Sequence, residues 1–447
     1  MAQHDLTQGS VRLSLYRLTA PMILGVASSI LVQTLEMGFI GQLSTEHVAA
    51  VTFTFPITMV LTSIALGVSI GTSSVIARSA GAGNRRDMRR LGSHAILLIG
   101  GLMVLLSLAG WATIDPVFTA LGARPEMLPL IHSYLDIYYP STVAFTITMI
   151  AGSILRASGN ANTPGLAMTA GALFNLALDP ILIFGWFGFP RMELAGAATA
   201  MAVTRVLTAA WLLHRVHRDG LIKTQALLAG FKVSAARILR IGIPAAATQL
   251  IGPLSGAVIT RLVAAHGEVV IAGFGVATRI EAVAAMTLFA LSGSIGPFVG
   301  QNAGAKNMAR VRAGMRAACQ FSVLWGLGAA LLMALWGGQF AAWLNGDAGV
   351  VAVAALYLLI VPLSYGPWGV LMMASASFNS LGRPLPSTVL SFTRMFVVYV
   401  PLAMALNGLY GYGGIFAATA ASNVLMGLVG YWWFQWTFFR DQEGQLA

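Results

Sequence analysis

Residues 21–36 read PMILGVASSILVQTLE and residues 244–259 read PAAATQLIGPLSGAVI, and they decide the fold because they are one helix written twice. The shift that lays Pro21 on Pro244 also lays Ala49 on Ala272, Ala80-Gly81-Ala82 on Ala303-Gly304-Ala305, Asn84 on Asn307 and Gly159 on Gly382. Further on the register drifts by three and Ala198-Thr199-Ala200 meets Ala418-Thr419-Ala420, as loops of unequal length after a duplication would give. The two copies part company at polar positions: Glu36 falls on Ile259, Asn175 on Val398 and Asp179 on Leu402. In a membrane, repeats of one orientation build two halves around a cavity, and carboxylates within the spans mark ion or proton sites.

That the setting is a membrane follows from composition. The chain is 57% hydrophobic and only 9% charged, with a mean hydropathy of +0.78, whereas a soluble domain carries roughly 25% charged residues. Twelve apolar stretches follow one another from about residue 15 to about residue 438, each long enough to cross a hydrocarbon core of roughly 30 Å as a helix. The expected organisation is an all-α integral membrane protein: a six-helix bundle over 1–216, a polar link over 217–236 and a second six-helix bundle over 237–447. No cleavable leader is expected, because the first apolar segment follows Arg12 and Arg17 and itself contains Pro21 and Glu36.

A formal net charge of +11 raises the question of nucleic acid, and its placement answers it. Of the 26 basic residues, 20 fall on the side shared by both termini, Arg124 and Arg191 lie opposite, and Arg205, Arg261, Arg279 and Arg394 sit within helices. This is the positive-inside bias; it puts both termini in the cytoplasm and leaves nucleic acid unneeded. Trp432, Trp433 and Trp436, followed by Phe439 and Arg440, read as an aromatic belt at that interface. The single Cys319 forbids an intrachain disulfide. There is no Walker sequence, metal-spaced Cys/His set or nucleophile cluster, so neither ATP-driven nor enzymatic chemistry is expected, and no cofactor is called for.

The polar residues inside the helices carry the functional reading. Asn175 and Asp179 are four apart, on one face of helix five, and Pro180 disturbs the bond to the carbonyl of Leu176. Glu36 lies 15 residues beyond Pro21, roughly 22 Å along helix one, and Tyr134 enters helix four at a similar depth. Four groups from three helices therefore meet in the outer half of the first bundle. The plain alternative is that they satisfy one another, or that Glu36 reaches the headgroups. A carboxylate at membrane depth costs a few kcal/mol, and the second copy folds without these acids, which favours a proton or cation site. Arg279 and Glu281 in helix eight are two apart and so on different sides; each is expected to form a structural charge pair with another helix, Arg261 at the outer end of helix seven being one candidate partner. Asp136 is expected to face an outer vestibule, and Met149, Met168, Met372 and Met373 are expected mostly to pack helices. Pro21 is the candidate hinge, although Pro244 holds the same place in the copy lacking the acid.

Pro21 to Glu36, Asn175-x-x-x-Asp179-Pro180, Arg279-Ile280-Glu281 and Gly300-Gln301-Asn302-x-Gly304-Ala305, in that order over residues 12–438, resemble the multidrug and toxic compound extrusion (MATE) family. The resemblance implies a V-shaped pair of bundles that alternates between inward-open and outward-open states. It implies export of hydrophobic, often cationic small molecules against H⁺ or Na⁺, by a monomer in the lipid bilayer. It matches prokaryotic members whose cation site, in the first bundle, would here comprise Glu36, Tyr134, Asn175 and Asp179, with Thr199 the nearest helix-six hydroxyl and Na⁺, if used, at Glu36, Asn175 and Asp179. The family's helix-one acid is usually Asp; the longer Glu36 and the absence of an assured helix-six ligand favour H⁺ slightly. Ala257 and Ile259 in helix seven, and a helix ten without an acid, disfavour a site in the second bundle. A lipid-linked oligosaccharide flippase of the same superfamily is the alternative.

Overall fold

The computed structural model describes residues 5–223, 225 and 228–443, with side chains to Thr437; the Phe439 and Arg440 side chains of the aromatic belt lie outside the described residues. Twelve helices among them are long and apolar enough to cross a membrane. They are α1 Val11–Gly41, α2 Thr45–Gly81, α3 Arg85–Ala112, α4 Pro125–Ala157, α5 Asn162–Phe184, α6 Glu193–Arg218, α7 Phe231–Ala264, α8 Glu268–Gly304, α9 Met308–Leu344, α10 Ala348–Ser380, α11 Pro384–Tyr410 and α12 Tyr412–Glu443. A short helix, Ile114–Ala120, precedes α4. Two helices change gauge in their interiors where proline disrupts the ladder: α10 tightens to 3₁₀ over Val361–Ser364 around Pro362, and α11 widens to π over Thr393–Tyr399 ahead of Pro401, while α4 opens with a 3₁₀ turn over Pro125–Met127.

The duplication is visible in the backbone. Asn84 and Asn307 cap α3 and α9 in the same way, their side-chain oxygens accepting from the N–H groups of Asp87 at 2.9 Å and Arg310 at 3.1 Å. The residue before each cap, Gly83 or Lys306, sits at positive φ, as do Gly159 and Gly382 at the second matched turn. Lys306 adopts at φ 57° what Gly83 adopts at φ 69°. The turn geometry has outlived the glycine.

The helices gather into two compact units. One comprises Ala20–Ala246 and the other Leu6–Thr19 with Ala247 onward. α1 thus changes unit immediately before Pro21, and α7 changes unit just after Pro244. The sequence boundary at 217–236 is not where packing divides, for a local reason. Gly67 and Gly71 of α2 lie so close to the backbone of Ile238, Gly242 and Ala246 that an added Cβ would overlap it, and this contact binds the first half of α7 into the first unit. Within that unit α4 packs on α2, α3 and α6, and α5 packs on α6, around a core that includes Ile99, Leu135, Ile154 and Leu155. In the second, α10 packs on α8, α9 and α12, around Leu288, Tyr357, Leu358, Tyr365 and Phe416. Its amino-terminal strap is clamped by the Gln301-Asn302 motif: Gln301 Oε1 accepts from the Leu6 N–H at 3.2 Å, and Asn302 Nδ2 donates to the Leu6 carbonyl at 3.2 Å.

Candidate functional site

α5 carries Asn175 and Asp179 one turn apart, and the turn closes: Asn175 Nδ2 donates to Asp179 Oδ2 at 2.9 Å. Asp179 is fully buried, and its Oδ1 has no hydrogen-bond partner among the described residues. Glu36 of α1 and Tyr134 of α4 are buried beside it, and Glu36, Tyr134 and Asp179 lie within electrostatic range of one another. The structure thereby brings together four of the five residues expected at the site. An apolar bundle interior holding two carboxylates, one with an open oxygen, stabilises whatever positive charge enters it, whether a proton or a cation with a preference for hard oxygen donors.

Sequence reasoning gave no role to Arg205, which is the counter-charge of this cluster. Its guanidinium carbon stands 4.7 Å from the centroid of the Tyr138 ring and 4.9 Å from that of Phe145, and Nη1 donates to Ser141 Oγ at 2.8 Å. Tyr138, Ser141 and Phe145 recur at i, i+3 and i+7, so one face of α4 forms the cradle. The next turn of that face is Tyr134, stacked on Tyr138 with ring centroids 5.6 Å apart. From the cradle Arg205 acts electrostatically on both Glu36 and Tyr134. That spacing on α4, set against an in-helix arginine on α6, was the signal available in the sequence.

Thr199 is not drawn into the cluster by any hydrogen bond: its hydroxyl donates to the Ala195 carbonyl of its own helix at 2.7 Å. Asp136 stays apart as well, accepting from Trp111 Nε1 at 2.9 Å on an exposed face. Pro21 lies against Gly165, where a Cβ would stand 2.5 Å from the Pro21 carbonyl oxygen, so α1 and α5 touch backbone to backbone one helix-length from the acids. Ile259, Val398 and Leu402 leave the second unit without these acids at the matched positions.

The expected charge pairs in the second unit need correction. Arg261 and Arg279 are exposed and form no ion pair among the described residues. Glu281 instead accepts from the Tyr357 hydroxyl and lies within electrostatic range of Arg394 of α11, whose Nη1 donates to Asn423 Oδ1 at 2.9 Å. Two residues along a helix point to different sides, and Glu281 turns inward to α10 and α11 while Arg279 turns out.

The MatE family model matches the chain twice, over residues 21–181 and 244–405, so its two copies begin at the paired prolines. A protein called FAD transporter from Shewanella oneidensis is 32% identical over 434 residues, covering 96% of this chain and 96% of that protein. A probable multidrug resistance protein, YoeA of Bacillus subtilis, is 25% identical over 96% of this chain and 94% of its own length. The crystal structure of the Vibrio cholerae MATE transporter VcmN in the bent form superimposes with a TM-score of 0.92 at 29% identity, covering 96% of this chain and 97% of that one. A doubled family match, twelve apolar helices and a superposition over nearly the whole chain place this protein in the MatE family of multi-pass membrane transporters.

Proposed function

We propose that this chain is a secondary active exporter of small hydrophobic or cationic molecules, working by alternating access and driven by an inward flow of H⁺, with Na⁺ as the other candidate ion. The observation that carries the reading is the one-sided acid pair. Glu36 and Asp179 are buried in one repeat and replaced by aliphatic residues in the other, and Asp179 Oδ1 is left open. A carboxylate oxygen left open in an apolar interior is costly, which supports a group that binds and releases positive charge during the cycle. The donors Glu36, Asn175 and Asp179 fit Na⁺ in kind, being hard oxygens. With the Arg205 guanidinium beside Glu36, one monovalent cation of either kind balances the charge; the preference for H⁺ rests on the longer Glu36 side chain and on the Thr199 hydroxyl, which donates to its own helix rather than offering a helix-six ligand.

The test is drug efflux from vesicles under an imposed proton gradient without Na⁺. Glu36→Gln and Asp179→Asn are each expected to abolish gradient-driven efflux while the protein still inserts and elutes as wild type. Transport by both variants at the wild-type rate would move the coupling site elsewhere, and efflux that requires Na⁺ and ignores pH would overturn the ion. The 32% identity to a protein called FAD transporter supports a second reading of the cargo, a flavin dinucleotide. Uptake of a fluorescent cation, of FAD and of a labelled polyprenyl-linked sugar in parallel separates multidrug export, flavin transport and lipid flipping.

A further inference from the structure

At its polar end the first unit has a half-open cavity of about 970 Å³ between the start of α3 and the link that follows α6. Arg85, Arg86, Arg89, Arg90 and Lys223 line it, with Asp87 as the one acid of the lining. That acid is already engaged. Asp87 accepts from Ser79 Oγ at 2.8 Å, from Arg90 at 2.7 Å and from Arg237, which lies outside the lining, at 3.0 and 3.1 Å. Arg85, Arg86 and Lys223 have no side-chain partner among the described residues, and Arg89 uses only Nε, on the Ile222 carbonyl at 3.4 Å.

The wall opposite these cations is fixed. Ser93 Oγ both donates to the Lys223 carbonyl at 2.7 Å and accepts from its N–H at 2.6 Å. Gly92 admits the link so closely that a Cβ would stand 2.7 Å from the Leu221 carbonyl oxygen, and Phe231 meets His94 edge to face with ring centroids 5.6 Å apart. The positive-inside bias explains why cations gather on this side of the membrane. It does not explain why they surround a cavity, and the second repeat shows the difference. There the positions of Arg85, Arg86 and Arg90 hold Met308, Ala309 and Ala313. Arg310, in the place of Asp87, is occupied by the carbonyls of Leu6, Gln8 and Gly9 at 3.0, 2.6 and 2.7 Å. Of the four arginines at the start of α3 only Arg89 has a basic counterpart in the second repeat, Arg312.

We propose that this cavity is a binding site for phosphate groups. Guanidinium forks match phosphate oxygens two at a time, and basic pockets at the polar edge of a bundle take anionic headgroups. The volume exceeds that of one phosphate and accommodates a headgroup, and α3 runs from the cavity directly into its apolar stretch beginning at Ala95. A lipid headgroup and a soluble phosphate share this chemistry, and the experiment separates them. The full-length protein is titrated with inorganic pyrophosphate in neutral detergent and, separately, reconstituted into nanodiscs of phosphatidylcholine with rising phosphatidylglycerol, and the thermal unfolding midpoint is followed. Saturable stabilisation is expected, weakened by about tenfold in apparent affinity in Arg86→Gln/Arg89→Gln and retained in Arg12→Gln/Arg316→Gln, which removes the same charge elsewhere. Saturation by pyrophosphate assigns a soluble anion, and saturation by phosphatidylglycerol alone assigns a lipid. Stabilisation by neither probe, or equal weakening in both double variants, overturns the proposal. The readout is binding, so it stands or falls independently of ion-coupled export.

Discussion

At the residue scale the site turns on three charges rather than two. Glu36 lies within electrostatic range of Asp179 and of one fixed cation, Arg205, held by two rings and a hydroxyl on α4. With both acids ionised the set carries a single net negative charge, which one proton cancels. Removing the cation doubles that deficit. Arg205→Gln is therefore expected to make efflux responsive to external Na⁺, with Arg205→Lys behaving as wild type, because a second positive charge would then be drawn to the same oxygens. Efflux measured against Na⁺ concentration at constant pH reads this directly, and an Arg205→Gln protein as indifferent to Na⁺ as the wild type would rule out the role. Glu36, Asn175, Asp179 and Tyr134 were legible in the sequence because an ionisable group inside an apolar run stands out one residue at a time. Arg205 stood out too, but its meaning depended on which helix it faced.

At the scale of the element, proline and glycine decide where helices bend and how closely they approach. Pro21 lacks the N–H that would complete the ladder of α1, and α1 passes from one unit to the other at this point. Pro21→Ala is expected to slow efflux while leaving proton or Na⁺ binding intact, since the acids lie further along the helix. Binding and efflux measured side by side check this, and full efflux would remove bending at Pro21 from the cycle. The close approach of Gly165 to the Pro21 carbonyl gives a second expectation. Gly165→Leu forces the two backbones apart and should cost about 1–3 kcal/mol of stability, seen as a lower unfolding midpoint in detergent. The π turn in α11 and the 3₁₀ turn in α10 belong to the second repeat only. Prolines at 362 and 401 hint at them, but proline alone does not say which way a ladder yields.

For the whole molecule, the charge bias predicts an orientation and the duplication sets the architecture. With Cys319 replaced by Ala, a cysteine introduced as Arg218→Cys is expected to react with a membrane-impermeant maleimide only after the cells are opened, and Phe189→Cys in intact cells. The reverse pattern would invert the topology. The sequence by itself determined the membrane setting, the twelve helices and the repeat, and it singled out four residues that the fold brings together, because hydropathy, proline and buried charge are local signals that each span displays alone. Only the tertiary structure decided that Thr199 turns to its own backbone, that Glu281 answers to Tyr357 and Arg394 rather than to Arg261, and that the first half of α7 joins the first unit. It alone showed Arg205 as the third charge and the open guanidinium forks at the start of α3. The physical reason is that an apolar span fixes which residues lie at membrane depth, whereas the partner each polar group meets depends on helix rotation and close packing, and these are set by small residues such as Gly67 and Gly71 on a neighbouring helix.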